Sequence, residues 1–238
     1  MPGTLIHLEI ADNLYNILGN DVINNLPLFF SGNIAPDAIH AKKDYQRADK
    51  IHTHLCDGIH SYGYGYPDVA KIFMNRVNEF IEKYYLTAGD DKDLYLGYVV
   101  HLLADKFEMF SACKRLANLF IDNEANPDEP EFQKILADEV NTGCHRDFLT
   151  KDAQSFDFLA HEYKFKHNVV GILEAVWNYE VKDYICSEEI NISKRWYINT
   201  VFNREVNQTN ALNYDHNIVV QYIDITTTKI IEQLQRIL

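Results

Sequence analysis

No apolar run in this 238-residue chain approaches the roughly 20 residues needed to cross a bilayer, which excludes a spanning helix. Basic clusters are missing too. Lysine and arginine number 22 against 35 aspartates and glutamates, a net charge of −13 spread along the chain. Binding to duplex nucleic acid or to an anionic membrane depends on grouped basic side chains that neutralise phosphates, so general nucleic-acid binding is excluded. Cysteines are few, and Cys56, Cys113, Cys144 and Cys186 form no CxxC pair. Thiolate zinc sites and redox pairs are thereby removed, and the four read as free thiols. The start, MPGTLIHLEIADNLY, has no basic leader and carries Glu9 and Asp12. The expectation is a chain without a secretory signal, hence cytoplasmic.

Alternating strand patterns are equally scarce; VQYIDITTT is the one tempting stretch, and its neighbours continue a helical period. With 47% hydrophobic and 24% charged residues, the composition is that of an ordinary folded protein. Helical spacing of apolar residues runs over 5–18, 68–86 and from about 91 to 120, with further candidates at 131–141, 155–185 and 215–238. Over 68–86 the predicted buried face is Ile72, Phe73, Val77, Phe80, Ile81, Tyr84 and Tyr85. Between helices lie SGNIAPDAIH (31–40), SYGYGYPD (61–68) and DNEANPDEPE (122–131). The reading is a single all-α domain over 1–238, a multi-helix bundle. Its site-bearing half covers about 1–121, and supporting helices cover about 131–238.

Histidine is plentiful, with six of the ten between His7 and His101. His101-Leu-Leu-Ala-Asp105 places an imidazole and a carboxylate on one helix face. Both suit zinc. Burying them in LGYVVHLLAD requires compensation, either by a metal or by a mutual hydrogen bond. His40 and Asp44 share the spacing, but the charged context AIHAKKDYQ reads as a solvated helix face. If RADKIHTHL is helical, His52 and His54 point to nearly opposite sides, so at most one faces a given site. Asp37 follows Gly-Asn-Ile-Ala-Pro, where the residue before Pro36 is biased to extended backbone. That suits a helix N-cap, or an oxygen ligand for an ion. His7 reads as a packed histidine beside Ala11 and Leu14, or as a ligand.

Taken together, His7, GNIAPD ending in Asp37, Thr-His54-Leu and LYLGYVVHLLAD with His101 and Asp105 resemble the zinc-dependent phospholipase C superfamily. That superfamily includes single-strand nucleases of the same fold. The resemblance covers roughly residues 4–110. It implies an all-helical bundle of the phospholipase C/nuclease type that holds one to three zinc ions in a cleft. Asp37, His54, His101 and Asp105 would be ligands of one zinc; His7 would serve a neighbouring ion, with Asp105 bridging. Asp37 would also orient or deprotonate the attacking water, making it the catalytic residue. The chain departs from the family after Asp105: KFEMFSACK supplies no histidine, and neither His145, His161 nor His167 has a glutamate four residues on. His145, His161, Glu162 and Glu108 are the candidate replacements, each also readable as structural or surface.

The implied activity is phosphodiester hydrolysis on a small phosphodiester or phospholipid substrate. Tyr64 and Tyr66 in the Tyr-Gly run would contact a choline-like headgroup or a base, or else pack on the helix behind them. The alternative is a non-catalytic helical metal-binding module with one closed structural zinc, since four ligands fill a structural site.

Overall fold

A computed structural model describes residues 4–59, 67–108, 165–203 and 216–237. Among these are eight α-helices: α1 (Thr4–Leu18), α2 (Leu26–Ala38), α3 (Arg47–Thr53), α4 (Pro67–Phe80), α5 (Lys92–Glu108), α6 (Val169–Glu174), α7 (Ser187–Trp196) and α8 (His216–Ile237). The nearest approach to a strand among the described residues is an isolated bridge between Val181 and Ile185. The fold is all-α. No helix among the described residues is long and apolar enough to cross a membrane. The predicted helix at 131–141 and the first part of 155–185 lie outside the described residues.

The centre of the molecule is the pair α2 and α5. Asn25 caps α2 by accepting from the Leu28 amide at 3.2 Å, and Pro27 occupies the first turn, where its missing N–H is harmless. The Asn25 amide in turn donates to Asp93 in the first turn of α5 at 2.5 Å. Gly32 and Gly97 make the close crossing possible. A Cβ on Gly32 would collide with the Leu94 carbonyl oxygen, and one on Gly97 with the Phe29 carbonyl oxygen. These two glycines are required by backbone approach rather than by a turn.

Three sequence expectations change here. SGNIAPDAIH is not an interhelix segment, because residues 31–38 belong to α2. Asp37 is accordingly not an N-cap but the next-to-last residue of that helix. Pro36 stands in the last turn, where the loss of one intrahelical bond is tolerated and the helix ends two residues later. Over 165–185 there is no continuous helix: Asn168 caps the six-residue α6 by accepting from the Gly171 amide. The chain then turns through left-handed Asn178 (φ 66°) and Asp183 (φ 69°), which a helix does not admit. Finally, Ile72 of α4 is exposed, whereas Phe73, Val77, Phe80, Ile81 and Tyr84 are buried as expected.

The remaining helices enclose this pair. Residues 5–14 of α1 are buried on every side. The stretch VQYIDITTT is helical within α8, with Thr227 and Thr228 donating to the Ile223 and Asp224 carbonyls at 2.7 and 3.0 Å. Those back-bonds satisfy hydroxyls of a type that otherwise disfavours helix.

Candidate metal centre

Four helices, α1, α2, α3 and α5, bring side chains to the centre. His101 and Asp105 lie one turn apart on α5, Nε2 to Oδ2 3.6 Å. His7 of α1 lies flat on His101, ring centroids 3.7 Å apart and 8° from parallel, with Nε2 3.4 Å from Asp105 Oδ1. His54, the residue that ends α3, brings Nε2 to 3.3 Å from Asp105 Oδ2 and 3.4 Å from Asp37 Oδ1. Asp105 thus turns one oxygen toward His7 and the other toward His54 and His101. Nitrogen and oxygen atoms of His7, His101 and Asp105 fall within 4.8 Å of one another, and so do those of Asp37, His54 and His101.

Backbone carbonyls fix the orientation of two imidazoles. His101 Nδ1–H donates to the Asn33 carbonyl at 2.7 Å, and His54 Nδ1–H donates to the Lys50 carbonyl at 2.9 Å. A carbonyl can only accept, so each ring carries its proton on Nδ1 and aims a lone pair at Nε2 inward. The α2–α5 glycines explain the first bond, because only that close crossing lets an α2 carbonyl reach an α5 side chain. The second region is held from several sides. Thr53 donates its hydroxyl to the Pro36 carbonyl at 3.0 Å, and the Tyr98 hydroxyl donates to the Thr53 carbonyl. Just past His54, Leu55 is left-handed (φ 55°), and Arg76 of α4 pins this turn by donating to the Leu55 and Asp57 carbonyls at 2.8 and 2.6 Å.

The inward atoms find no hydrogen bond. Both nitrogens of His7, Nε2 of His54 and of His101, and both oxygens of Asp105 are buried without a hydrogen-bond partner. The separations of 3.3–3.6 Å among them exceed normal hydrogen-bond lengths. An unsatisfied buried polar atom costs about 1–3 kcal/mol. Several together rival the whole net stability of a domain, about 5–15 kcal/mol. A cation placed among these lone pairs removes that penalty, so the buried His/Asp group could hold a metal ion.

Electrostatics agree with ligand protonation states. Burial, followed by the neighbouring His7, pushes His101 down to about 3, so its imidazole is neutral. Burial alone would raise the Asp105 carboxyl, but His7, His101 and His54 outweigh it and hold the pKa below the usual range. Asp37 behaves likewise: burial opposes ionisation, and Lys50 together with His54 overcomes it.

The partners of Asp37 include residues that sequence reasoning missed. Lys50 Nζ lies 2.7 Å from Asp37 Oδ1 and 3.1 Å from His40 Nε2, while His40 itself is 3.9 Å from Asp37. The solvated helix face read at His40 and Asp44 is exposed but not α-helical: residues 39–41 make a 3-10 turn, and His40 lies beside Lys50. Its position four residues before His54 on α3 was the available signal for Lys50. As expected, His52 and His54 face opposite ways: His52 is exposed, with Nδ1 2.8 Å from Asp57. Tyr64, Tyr66, His145, His161 and Glu162 lie outside the described residues. Beside Asp37 and His40 opens a cavity of about 450 Å³, walled on its other side by Ile192, Ser193, Trp196 and Tyr197. No protein-family model matches the chain, and comparison with curated proteins and with solved structures returns no match.

Proposed function

We propose that this chain is a zinc-dependent phosphodiester hydrolase of the phospholipase C type. One observation carries the reading: three imidazoles and a carboxylate converge with their buried ligand atoms unpartnered, two of the imidazoles set in the ligating tautomer by backbone carbonyls. Imidazole nitrogen and carboxylate oxygen are a donor set that suits zinc. His101 has a single inward nitrogen, so it serves one ion. With it, Asp37, His54 and Asp105 would hold that ion, while His7 together with Asp105 would hold a second. A bound zinc ion supplies Lewis acidity toward a phosphoryl oxygen and makes a coordinated water acidic near neutral pH.

The chain's own residues do the rest. Asp37, ionised at neutral pH, accepts a hydrogen bond from an attacking water and turns its lone pair toward phosphorus. Its contacts gather on Oδ1, which leaves Oδ2 for that task. Lys50 fixes a positive charge beside Asp37, where a phosphoryl oxygen gains negative charge in the transition state. The cavity beside His40 borders this ligand set at Asp37.

A second reading, a non-catalytic module with one closed zinc, draws on Asp37, His54, His101 and Asp105 already amounting to four ligands. Elemental analysis after zinc reconstitution, with cleavage of bis-p-nitrophenyl phosphate before and after chelation, separates the two. The hydrolase binds two ions and cleaves only when loaded. One ion without cleavage selects the module, and no bound zinc removes both.

A further inference from the structure

The cavity at the edge of the candidate centre has two unlike walls. Asp37 and His40 form the polar one. Opposite them, α7 presents Ile192 and Trp196, four residues apart and therefore on one helical face. Both are large apolar side chains left 37% and 51% exposed. The Trp196 indole is held edge-on by Tyr197, ring centroids 5.2 Å apart at 64°, and Tyr197 is buried. An exposed indole in edge contact with a buried tyrosine, lining a cavity that Asp37 also lines, offers a stacking surface rather than a core side chain.

We propose that this cleft is the substrate pocket of the hydrolase, and that it takes a planar aromatic substituent of a small phosphodiester, stacked on Trp196. The proposal rests on the hydrolase reading for the reacting end of the substrate, because Asp37 belongs to both the ligand set and the cavity wall. Its volume of about 450 Å³ falls in the lower part of the range for compact organic ligands. One ring system with its phosphoester is of that size, and a diacyl lipid is larger. The net charge of −13 also opposes approach to an anionic lipid surface. Aromatic stacking tolerates any flat ring, since each offers a π face. The pocket therefore selects for planarity, not for one base or aryl group.

The chain contains two tryptophans, Trp177 and Trp196, so a Trp177→Phe background makes Trp196 the sole indole reporter. The zinc-loaded full chain is titrated at low temperature with the methyl ester of adenosine 5′-phosphate, with dimethyl phosphate and with phosphatidylcholine vesicles. The adenosine ester is expected to quench Trp196 fluorescence saturably, while dimethyl phosphate at tenfold higher concentration and the vesicles leave it unchanged. In the native background, Trp196→Ala is expected to raise KM for the adenosine ester about tenfold with kcat within twofold, and Trp196→Phe to restore most of the affinity. Absence of a saturable quench overturns the proposal, and so does a response to vesicles but not to the ester. Zinc content and bis-p-nitrophenyl phosphate cleavage are read on the same samples. Zinc and cleavage without a quench remove the pocket and leave the hydrolase standing. A quench without zinc or cleavage keeps the pocket and removes the hydrolase.

Discussion

Two histidine–aspartate assemblies are built on the same helix, α1, and they are finished differently. Near the middle of α1, Asp12 is buried with its carboxylate fully used: Oδ1 lies 2.7 Å from His167 Nδ1, and Oδ2 accepts from the Lys166 amide at 2.5 Å. One turn and a half earlier, His7 joins His54, His101 and Asp105 in a group whose inward atoms hydrogen-bond to nothing. Residue types and helix are shared, and both carboxylates are buried, although His167 is 32% exposed. What separates a structural pair from a candidate centre is leftover bonding capacity. The Asp12 pair fastens the 165–167 segment onto α1, whereas the His7 group leaves lone pairs directed at one another.

The sharpest way to break this comparison is to remove one imidazole from each assembly. His101→Ala is expected to abolish binding at one zinc site, weakening it by roughly 10³-fold or more, equivalent to about 4 kcal/mol. His167→Ala is expected to leave zinc affinity within about twofold. It would instead lower stability of the chelated protein by about 1–3 kcal/mol, because Asp12 loses a hydrogen-bonded partner while staying buried. Isothermal titration with zinc and urea unfolding in chelator measure the two effects. If His167→Ala releases zinc, or His101→Ala does not, the distinction between the assemblies fails.

The next effect is smaller and concerns protons. In the chelated protein the imidazole of His101 titrates at about 3, against about 6.5 in the unfolded chain. The unfolded state therefore takes up its proton first. His101 costs nothing in stability above pH 6.5, and stability falls as pH drops from 6.5 toward 3. Between pH 6.5 and 4 the loss is expected to be about 2–3 kcal/mol. His101→Ala is expected to flatten that portion of the profile, as read by urea unfolding at several pH values in chelator. A profile equally steep in the variant would assign the loss elsewhere.

Periodicity revealed α4 and α8, which alternate apolar and polar residues at helical spacing, and also the largely buried α1 and α5, whose apolar runs contain no proline. The central helix α2 is likewise buried from Leu28 through Pro36, but it was hidden because Pro27, Gly32 and Pro36 imitate a loop. Helix α7 was missed because its start relies on the Glu189 carboxylate accepting from the Cys186 amide at 2.9 Å, a cap that Cys does not announce. At the centre, the residue types of His7, Asp37, His54, His101 and Asp105 were readable, and they meet. The Asn33 carbonyl that orients His101 was not, because a backbone atom has no sequence signature and the reach depends on the Gly32–Gly97 crossing. Trp196 was equally invisible, lying more than ninety residues beyond the last ligand.

Lys50 offers the finest test, because it belongs to neither assembly and bears on one of them. Its ammonium holds Asp37 Oδ1 at 2.7 Å, the same oxygen that faces His54, and the carboxylate keeps it charged against the burial that would discharge it. A zinc ion coordinated by Asp37 must share that oxygen with the ammonium or displace it, and like charges repel across so short a span. Lys50→Met is therefore expected to tighten zinc binding about tenfold, or about 1.4 kcal/mol, while lowering phosphodiester turnover through loss of the fixed charge. Lys42 makes a pair of similar length with Asp49, 2.6 Å, but on the surface, where ion pairs contribute little; Lys42→Met is the control and should change zinc affinity less than twofold. Zinc titration of the two variants decides the matter. Weaker binding in Lys50→Met would mean that the ammonium steadies Asp37 for the metal instead of competing with it.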